Sequence, residues 1–475
     1  MKQFIGRKEE QQILKEALQS AEAEMLAVIG RRRIGKTFLV TSSYEKQIAF
    51  EITGVQNASR NQQLRTFADQ LQYLAKTEIA PPKDWLDAFF TLRTYLEPHL
   101  GKKKIVIFFD ELPWLATPRS GFLKALGYFW NSWASRQNMV VVICGSAASW
   151  MIQKVVNHKG GLHNRITKYI HLKPFTLSET EAYFKAKGIR FNRYQIVQLY
   201  MALGGVPHYL KEVKKGQSAV QNIDHILFAE NSFLKNEFSR LYPALFENAD
   251  YHIAVIRALA KKRQGLTRQQ IIQQAKTPQG GATTTILEEL VQSGFLGAYY
   301  PFGKKKKEML YRLTDEYSLF YLQFMEDKKN EGSGTWLRLS QKQEYTTWSG
   351  YAFESICLKH IPQIKKALGI AGVYTTAASF FKKGTKNDPG TQIDLVLDRN
   401  DQIIHLFEIK FHNKTFTLSK STAEKLREKK EIFEEATGTH KQLFISLITT
   451  LGLKPNEHSI GLIDQVLQLD DLFLA

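Results

Sequence analysis

Lys36 and Thr37 close the segment GRRRIGKT, in which Gly30, Gly35, Lys36 and Thr37 stand at the GxxxxGK[ST] spacing. Backbone N–H groups of such a loop and of the following helix cradle phosphates, the lysine offsets their charge, and the hydroxyl is a ligand for Mg²⁺. The apolar run MLAVI precedes the loop and a helix-compatible segment follows it, so the motif sits between strand and helix. Gly30, Arg31, Arg32, Arg33, Ile34, Gly35, Lys36, Thr37 and Phe38 are therefore the candidate nucleotide-contacting residues. The three arginines are expected to face solvent or pair with nearby acids. The alternative is a role in coupling nucleotide to DNA, since a guanidinium matches phosphate geometry.

A second acidic feature belongs with this loop. Residues 105–109 in IVIFFDELPWL are continuously apolar, as in a strand buried on both faces, and the run ends in Asp110 and Glu111. Ligands of open α/β sheets lie beyond the carboxyl ends of the strands. Asp110 is thus placed to support Mg²⁺ and Glu111 to orient and polarise an attacking water, the catalytic role beside that of Lys36. An acidic pair that merely ends a strand is the alternative. A third buried run, MVVVICGSAASWM, ends near Ser146, read either as a γ-phosphate sensor or as a cap for the next helix.

Near the other end, TQIDLVLDRNDQIIHLFEIKF reads as a β-hairpin carrying Asp394, Glu408 and Lys410 among apolar residues. Both faces of its strands are substantially apolar, so the charges call for a cation or hydrogen bonds to offset burial. Side chains alternate along a strand, so turn length decides the geometry. With residues 400–402 as the loop, Asp394 lies opposite Glu408, whereas a two-residue loop separates them onto opposite faces. Two carboxylates on one side are candidate metal ligands, and Lys410 is a candidate to stabilise a hydroxide or phosphate oxygen in phosphodiester hydrolysis. Upstream, YAFESICLKHI reads as a helix that carries Glu354, a third candidate metal ligand.

The elements that must hold these groups fall into several domains. The chain has 475 residues, 43% hydrophobic and 12% aromatic, more than one core usually supports. Its net charge of +19 favours polyanionic partners, DNA ahead of lipid. Cys144 and Cys357 lie far apart without CxxC or Cys/His spacing, which argues against a disulfide scaffold or structural zinc and fits a cytoplasmic setting. The first residues are too polar for a signal peptide, and no run of about 18 apolar residues occurs, so no membrane span is expected. A homo-oligomer stays open as an assembly.

We divide the chain at 1–175 for the phosphate-loop core, 176–246 for a helical subdomain, 247–327, a linker at 328–345, and 346–475. Within 247–327 three short helices precede a hairpin with a basic tip, the pattern of a winged helix. Thr283, Thr284 and Thr285 open its third helix, and Lys304, Lys305, Lys306 and Lys307 sit on the wing as candidate nucleic-acid contacts, where lysines release counterions from phosphate. A protein-interaction spacer with the lysines on a solvated loop is the competing reading.

FIGRKEE, GRRRIGKT, FFDELPWL, CGSAASWM, RITKYIHLKPFTLSE and GGVPHYL together resemble, in order and spacing, the AAA-like ATPases of the archaeal-type family related to signal-transducing NTPases. The resemblance covers about the first 210 residues. It implies ATP as the nucleotide, a parallel sheet with the phosphate strand central, a helical lid, residues 4–7 beside the adenine, and Arg165 near the nucleotide. Glu354, Asp394 and the Glu408, Ile409, Lys410 signature resemble the PD-(D/E)xK nuclease superfamily, and the region is similar to the nuclease-like domain at the C-terminus of this ATPase family. The implied fold is thus α/β and multidomain: a P-loop NTPase sheet with lid, a winged helix and a restriction-endonuclease-like C-terminal domain. The superfamily's proline before the aspartate is absent, because Asp394 follows Ile393. A remnant that cleaves nothing, within an ATP-dependent regulatory or scaffold switch, is the alternative to a Mg²⁺-dependent nuclease controlled by nucleotide state.

Overall fold

Alternate residues of the strand Glu24–Ile29 (β1) enter two different cores, Met25, Ala27 and Ile29 on one face and Leu26 and Val28 on the other. A strand with this pattern must be covered on both sides, and helices do so. In the computed structural model, which describes residues 4–156, 162, 164–246, 248–304, 308–328, 332–385 and 390–474, the chain forms two compact units. The first comprises Met1–Pro174 with the short pieces Leu245–Glu247 and Glu288–Gly294; the second holds the remainder.

The first unit is a five-stranded parallel sheet of β1, Ile48–Thr53 (β2), Ile105–Asp110 (β3), Met139–Gly145 (β4) and Lys168–His171 (β5), in the order β2-β3-β4-β1-β5. Helices Arg60–Ala75, Trp85–Leu96 and Phe122–Ser132 pack on one face through Phe67, Trp85, Phe89 and Phe122. Helices Lys8–Gln19 and Lys36–Tyr44 cover the other through Leu14, Leu39, Val40 and Tyr44. This is a P-loop NTPase-like core. Because β4 lies between β1 and β3, the loop after β1, the acids after β3 and Ser146 after β4 all emerge at one end of the sheet.

The second unit begins with helices that include Leu177–Ala186 and Arg193–Leu203. Helix Ala249–Ala260, strand Leu266–Thr267 (β6), helices Arg268–Ala275 and Gly281–Gln292, the latter assigned to the second unit only up to Leu287, and strands Leu296–Tyr299 (β7) and Leu310–Leu313 (β8) come next, with an antiparallel sheet ordered β6-β8-β7. The third helix opens at Gly281, ahead of the threonines. Lys305, Lys306 and Lys307 lie outside the described residues.

The stretch 328–345 is not a free linker. It contains helix Thr335–Leu339 and the start of helix Gln343–Lys359, and Trp336 is 1% exposed, packed on Phe228, Phe320 and Phe324. Asp224 accepts the backbone N–H groups of Gly334 and Trp336, both at 2.7 Å. The charge and glycines that suggest a linker flank a large apolar anchor, whose burial outweighs them.

A second five-stranded sheet follows, of Thr375–Lys382 (β9), Thr391–Arg399 (β10), Ile403–Lys410 (β11), Gln442–Thr449 (β13) and Gln465–Gln468 (β15). Its order is β15-β13-β11-β10-β9, antiparallel among β9, β10 and β11 and parallel beyond. Helix Lys420–Thr437 supplies the crossover from β11 to β13 and packs Ile432 and Phe433 on Val396, Ile404 and Leu406. Phe416–Thr417 (β12) and Leu453–Lys454 (β14) form a small parallel pair. Among the described residues no helix is long and apolar enough to cross a membrane.

Candidate functional site

The phosphate loop is held in shape by its glycines. Gly30 has φ +146°, and a Cβ there would meet the Leu172 carbonyl oxygen at 2.4 Å; Gly35, at φ +91°, leads into helix Lys36–Tyr44. No other residue type adopts these angles without strain. The buried Lys36 ammonium donates to the Arg31 carbonyl at 3.1 Å, curling over the loop. The Thr37 hydroxyl donates to Asp110 Oδ2 at 2.7 Å, which joins the loop after β1 to the end of β3. A hydroxyl and a carboxylate side by side are the hard oxygen donors Mg²⁺ takes, so this pair fits the metal.

Glu111 has the left-handed backbone φ 47°, ψ 51°. Its N–H donates to Asp110 Oδ1 at 2.9 Å, and its own Oε2 accepts from the Ser146 N–H at 3.1 Å and the Ser146 hydroxyl at 2.8 Å. Non-glycine residues in this region are uncommon and mark sites where surrounding structure holds the strain. Lys36, Thr37, Asp110, Glu111 and Ser146 are thus brought together. Cys144 joins them unannounced by any motif: burial first, then the Asp110 carboxylate, pushes its thiol well above the ordinary range, so it stays protonated.

Arg31 departs from the solvent-facing expectation, while Arg32 and Arg33 are partly exposed. Arg31 is 5% exposed, and Arg32 lies over the Trp114 ring with its guanidinium carbon 5.5 Å from the centroid. Phe38 stacks on Phe4 with ring centroids 5.5 Å apart and planes 9° from parallel, beside a cavity of about 1100 Å³ lined by Lys8, Lys15 and Thr41. Arg7 is buried and donates to the Ile34 carbonyl at 3.5 Å. Arg165 is exposed, just before β5.

In the second unit the hairpin register pairs Leu395 with Phe407 and Asp398 with Ile404, so residues 400–402 form the loop, and that register continued by one residue sets Asp394 against Glu408. Gln402 closes the loop at φ 65°, the left-handed position of three-residue hairpins. The β10 pairing with β9 shifts between Ile393 and Val396, an irregularity that spans Asp394 and Leu395. Bulges re-aim side chains and are frequent beside functional sites.

Glu408 is held by two cations, Lys410 at 2.7 Å and Lys429 of helix Lys420–Thr437 at 2.8 Å. Burial would raise its pKa, but Lys429 and Lys410 outweigh burial and leave the carboxylate below its ordinary range. Glu354 behaves oppositely. Burial, reinforced by Asp394 and Glu408 and only partly opposed by Arg312 and Lys410, pushes it up to about 8, so it holds a proton at neutral pH. Asp394 accepts from the Gln392 amide at 2.6 Å. The carboxylates therefore feel one another's charge, yet among the described residues no group of three or more His, Cys, Asp or Glu is placed to hold a metal ion. As arranged, these side chains do not fit one.

Of the nucleic-acid candidates, Thr283 is turned inward. It is 0% exposed and donates to Thr277 Oγ1 at 2.8 Å and to the Pro278 carbonyl, closing the turn that enters the helix. Thr284 accepts from Arg268 at 3.1 Å, Thr285 is exposed, and Lys304 pairs with Glu308 at 3.4 Å. Lys429, Arg312 and Gln392 escaped the sequence reading. Lys429 is one of several lysines on an exposed helix, and only tertiary packing distinguishes it.

Residues 4–213 match a family model described as an ATPase domain predominantly from Archaea. An uncharacterized protein of Methanocaldococcus jannaschii is 25% identical over 412 residues, 86% of this chain and 87% of that one. Among solved structures, a Walker-type ATPase of Pyrococcus abyssi covers 67% of this chain and 96% of its own at 17% identity, with a TM-score of 0.47. The ORC2 protein of Aeropyrum pernix, solved in ADPNP and ADP complexes, covers 66% and 92% at 14% identity, with a TM-score of 0.42. Residues 4–213, which hold the parallel sheet and its phosphate loop, are thus similar to an archaeal-type ATPase domain.

Proposed function

We propose that this chain binds and hydrolyses ATP at the loop of residues 30–38, that it binds DNA, and that nucleotide state controls its C-terminal nuclease-like domain. One observation carries the ATPase reading: a phosphate loop, a Thr37–Asp110 oxygen pair and the Glu111 carboxylate converge at one end of a parallel sheet. The loop N–H groups and Lys36 bind the β- and γ-phosphates, and Thr37 and Asp110 are the side chains that would hold Mg²⁺, which supplies charge compensation on the phosphates when bound. Glu111, once off Ser146, orients the attacking water and takes its proton.

The DNA reading is supported by the helix order and antiparallel β6-β8-β7 sheet, which follow a winged helix, and by the net charge of +19. The nuclease-like reading is supported by the hairpin register, which continued by one residue sets Asp394 against Glu408, beside the Glu354 helix. A second reading, a switch that cleaves nothing, is favoured by one observation: Lys410 and Lys429 already occupy the Glu408 carboxylate.

Purified full-length protein tests both. Mg²⁺-dependent ATP turnover is expected, together with plasmid nicking that is lost in Asp394→Ala and Lys410→Ala. No turnover overturns the ATPase reading; turnover without nicking, and no Mn²⁺ binding that depends on Asp394, selects the non-cleaving switch.

A further inference from the structure

The second unit contains a cleft of about 1140 Å³, larger than the roughly 300–1,000 Å³ of a small-molecule pocket. One wall is the turn after helix Ala249–Ala260, with Lys261, Lys262 and Arg263, and β8 adds Arg312. Helix Gln343–Lys359 adds Trp348 and Tyr351 to the lining, and Glu354 and Asp394 line the cleft as well. The Arg263 guanidinium carbon lies 3.3 Å from the centroid of the Tyr351 ring. Neither Arg263 nor Arg312 has a carboxylate ion pair among the described residues, unlike Arg257 in the same cleft, which donates to Glu326 at 2.8 Å.

Carboxylates alone would repel a polyanion, so the cations in the lining decide what this cleft admits. Guanidinium groups match phosphate oxygens in bidentate geometry. An aromatic face beside cations, once uncovered, stacks an unpaired base and tolerates any sequence, the combination that binds single strands. A small anion would leave most of the cleft empty, and duplex bases would have no free face to offer Tyr351.

We propose that this cleft binds single-stranded nucleic acid, with Arg263 and Arg312 clamping backbone phosphates and Tyr351 stacking a base once Arg263 swings off its ring. This rests on the nucleic-acid reading of the preceding section and adds the strand type, the residues and the location. It also brings the bound backbone past Asp394, whether or not anything is cut there.

The test is fluorescence anisotropy of a labelled oligothymidylate with the full-length protein in EDTA. The Arg263→Ala/Arg312→Ala double variant should bind at least tenfold more weakly. Its log–log salt slope should fall by about 1.4, two contacts at about 0.7 each for a single strand. Tyr351→Ala should weaken binding severalfold at an unchanged slope, and Arg263→Lys/Arg312→Lys should keep most of the slope. Circular dichroism and melting temperature identify variants that fail to fold. Wild-type affinity and slope in the double Ala variant overturn the inference, as do equal losses in the Lys and Ala pairs, or tighter binding of a duplex of equal charge at the same residues. Because metal is absent, loss of the clamp is read independently of nicking. Nicking without clamp-dependent binding sinks the cleft alone, and clamp-dependent binding without nicking sinks only the nuclease reading.

Discussion

Glu111 and Glu408 each sit at the end of a run of buried strand, and each has its carboxylate held by at least one donor from another element. Glu111 rests on the amide and hydroxyl of Ser146, whereas Glu408 rests on the ammonium groups of Lys410 and Lys429. Neutral donors can be exchanged for water or substrate with no change of charge in the site. Two ammonium groups add Coulomb attraction in a half-buried site, and a carboxylate leaves them only if another cation takes their place. The first region is therefore poised to change partners within a catalytic cycle, while the second is stable as it stands. A preformed constellation and a locked one can thus look alike as motifs.

The comparison breaks most readily at Glu111. Glu111→Gln keeps the side-chain shape and removes the base, so ATP turnover should fall by about a hundredfold or more while nucleotide binding persists. Asp394→Ala should leave turnover within about twofold, since the acids of the two sites belong to different compact units. Steady-state hydrolysis with a nucleotide-binding control reads both, and normal turnover in Glu111→Gln removes the catalytic role.

Protonation sharpens the contrast within the second region. Glu354 is raised to about 8, so between its ordinary pKa and that value the folded chain holds a proton that the unfolded chain releases. Its contribution is complete in acid and is lost as pH rises, which lowers stability by about 2–3 kcal/mol between pH 5 and pH 7. Glu408 is lowered, so its contribution is present above the ordinary carboxylate range and is lost only as pH falls through the folded value. Denaturant unfolding of Glu354→Gln against wild type should show a flatter pH profile across that window. Parallel profiles would mean that Glu354 is not buried in this way.

Gly30→Ala examines the preformed side. The added Cβ would sit 2.4 Å from the Leu172 carbonyl oxygen, so either the loop or the chain after β5 must move. Nucleotide affinity should fall about tenfold, with a lower melting temperature. Unaltered affinity would show that the loop is not fixed before nucleotide arrives.

How much of this was legible follows from how each feature is encoded. The phosphate loop is contiguous, so its spacing carries its geometry, and the apolar runs before it and before Asp110 announce strands covered on both faces. The hairpin register was legible because side-chain parity ties turn length to facing residues, placing Asp394 against Glu408. The grip of Lys429 on Glu408, the irregularity that spans Asp394 and Leu395 and the cations that line the cleft with Glu354 were not, because each depends on which helix or sheet packs where. The linker reading of 328–345 fails for a related reason. Local glycines and charges say linker, but a single indole finds Phe228, Phe320 and Phe324 only in the folded unit. Thr283 shows the same limit at the scale of one turn, its hydroxyl spent on Thr277 and Pro278 instead of facing outward.

The smallest expected effect separates the two roles available to Ser146. Its hydroxyl and amide both donate to Glu111 Oε2, and the residue is 3% exposed. Ser146→Ala removes the hydroxyl bond at 2.8 Å and leaves the amide bond at 3.1 Å, so Glu111 stays in place but is held less firmly. A bond to a charged acceptor contributes about 1.5–3 kcal/mol net, part of which the remaining amide bond recovers. If leaving Ser146 limits turnover, basal ATP hydrolysis should rise about two- to tenfold with little change in KM. If the hydroxyl instead senses the γ-phosphate, kcat should fall, and a fall of tenfold or more would remove the parking role. Glu111 would then resemble Glu408 in being fixed in place, and the contrast between an exchangeable and a locked carboxylate would rest on the lysines alone.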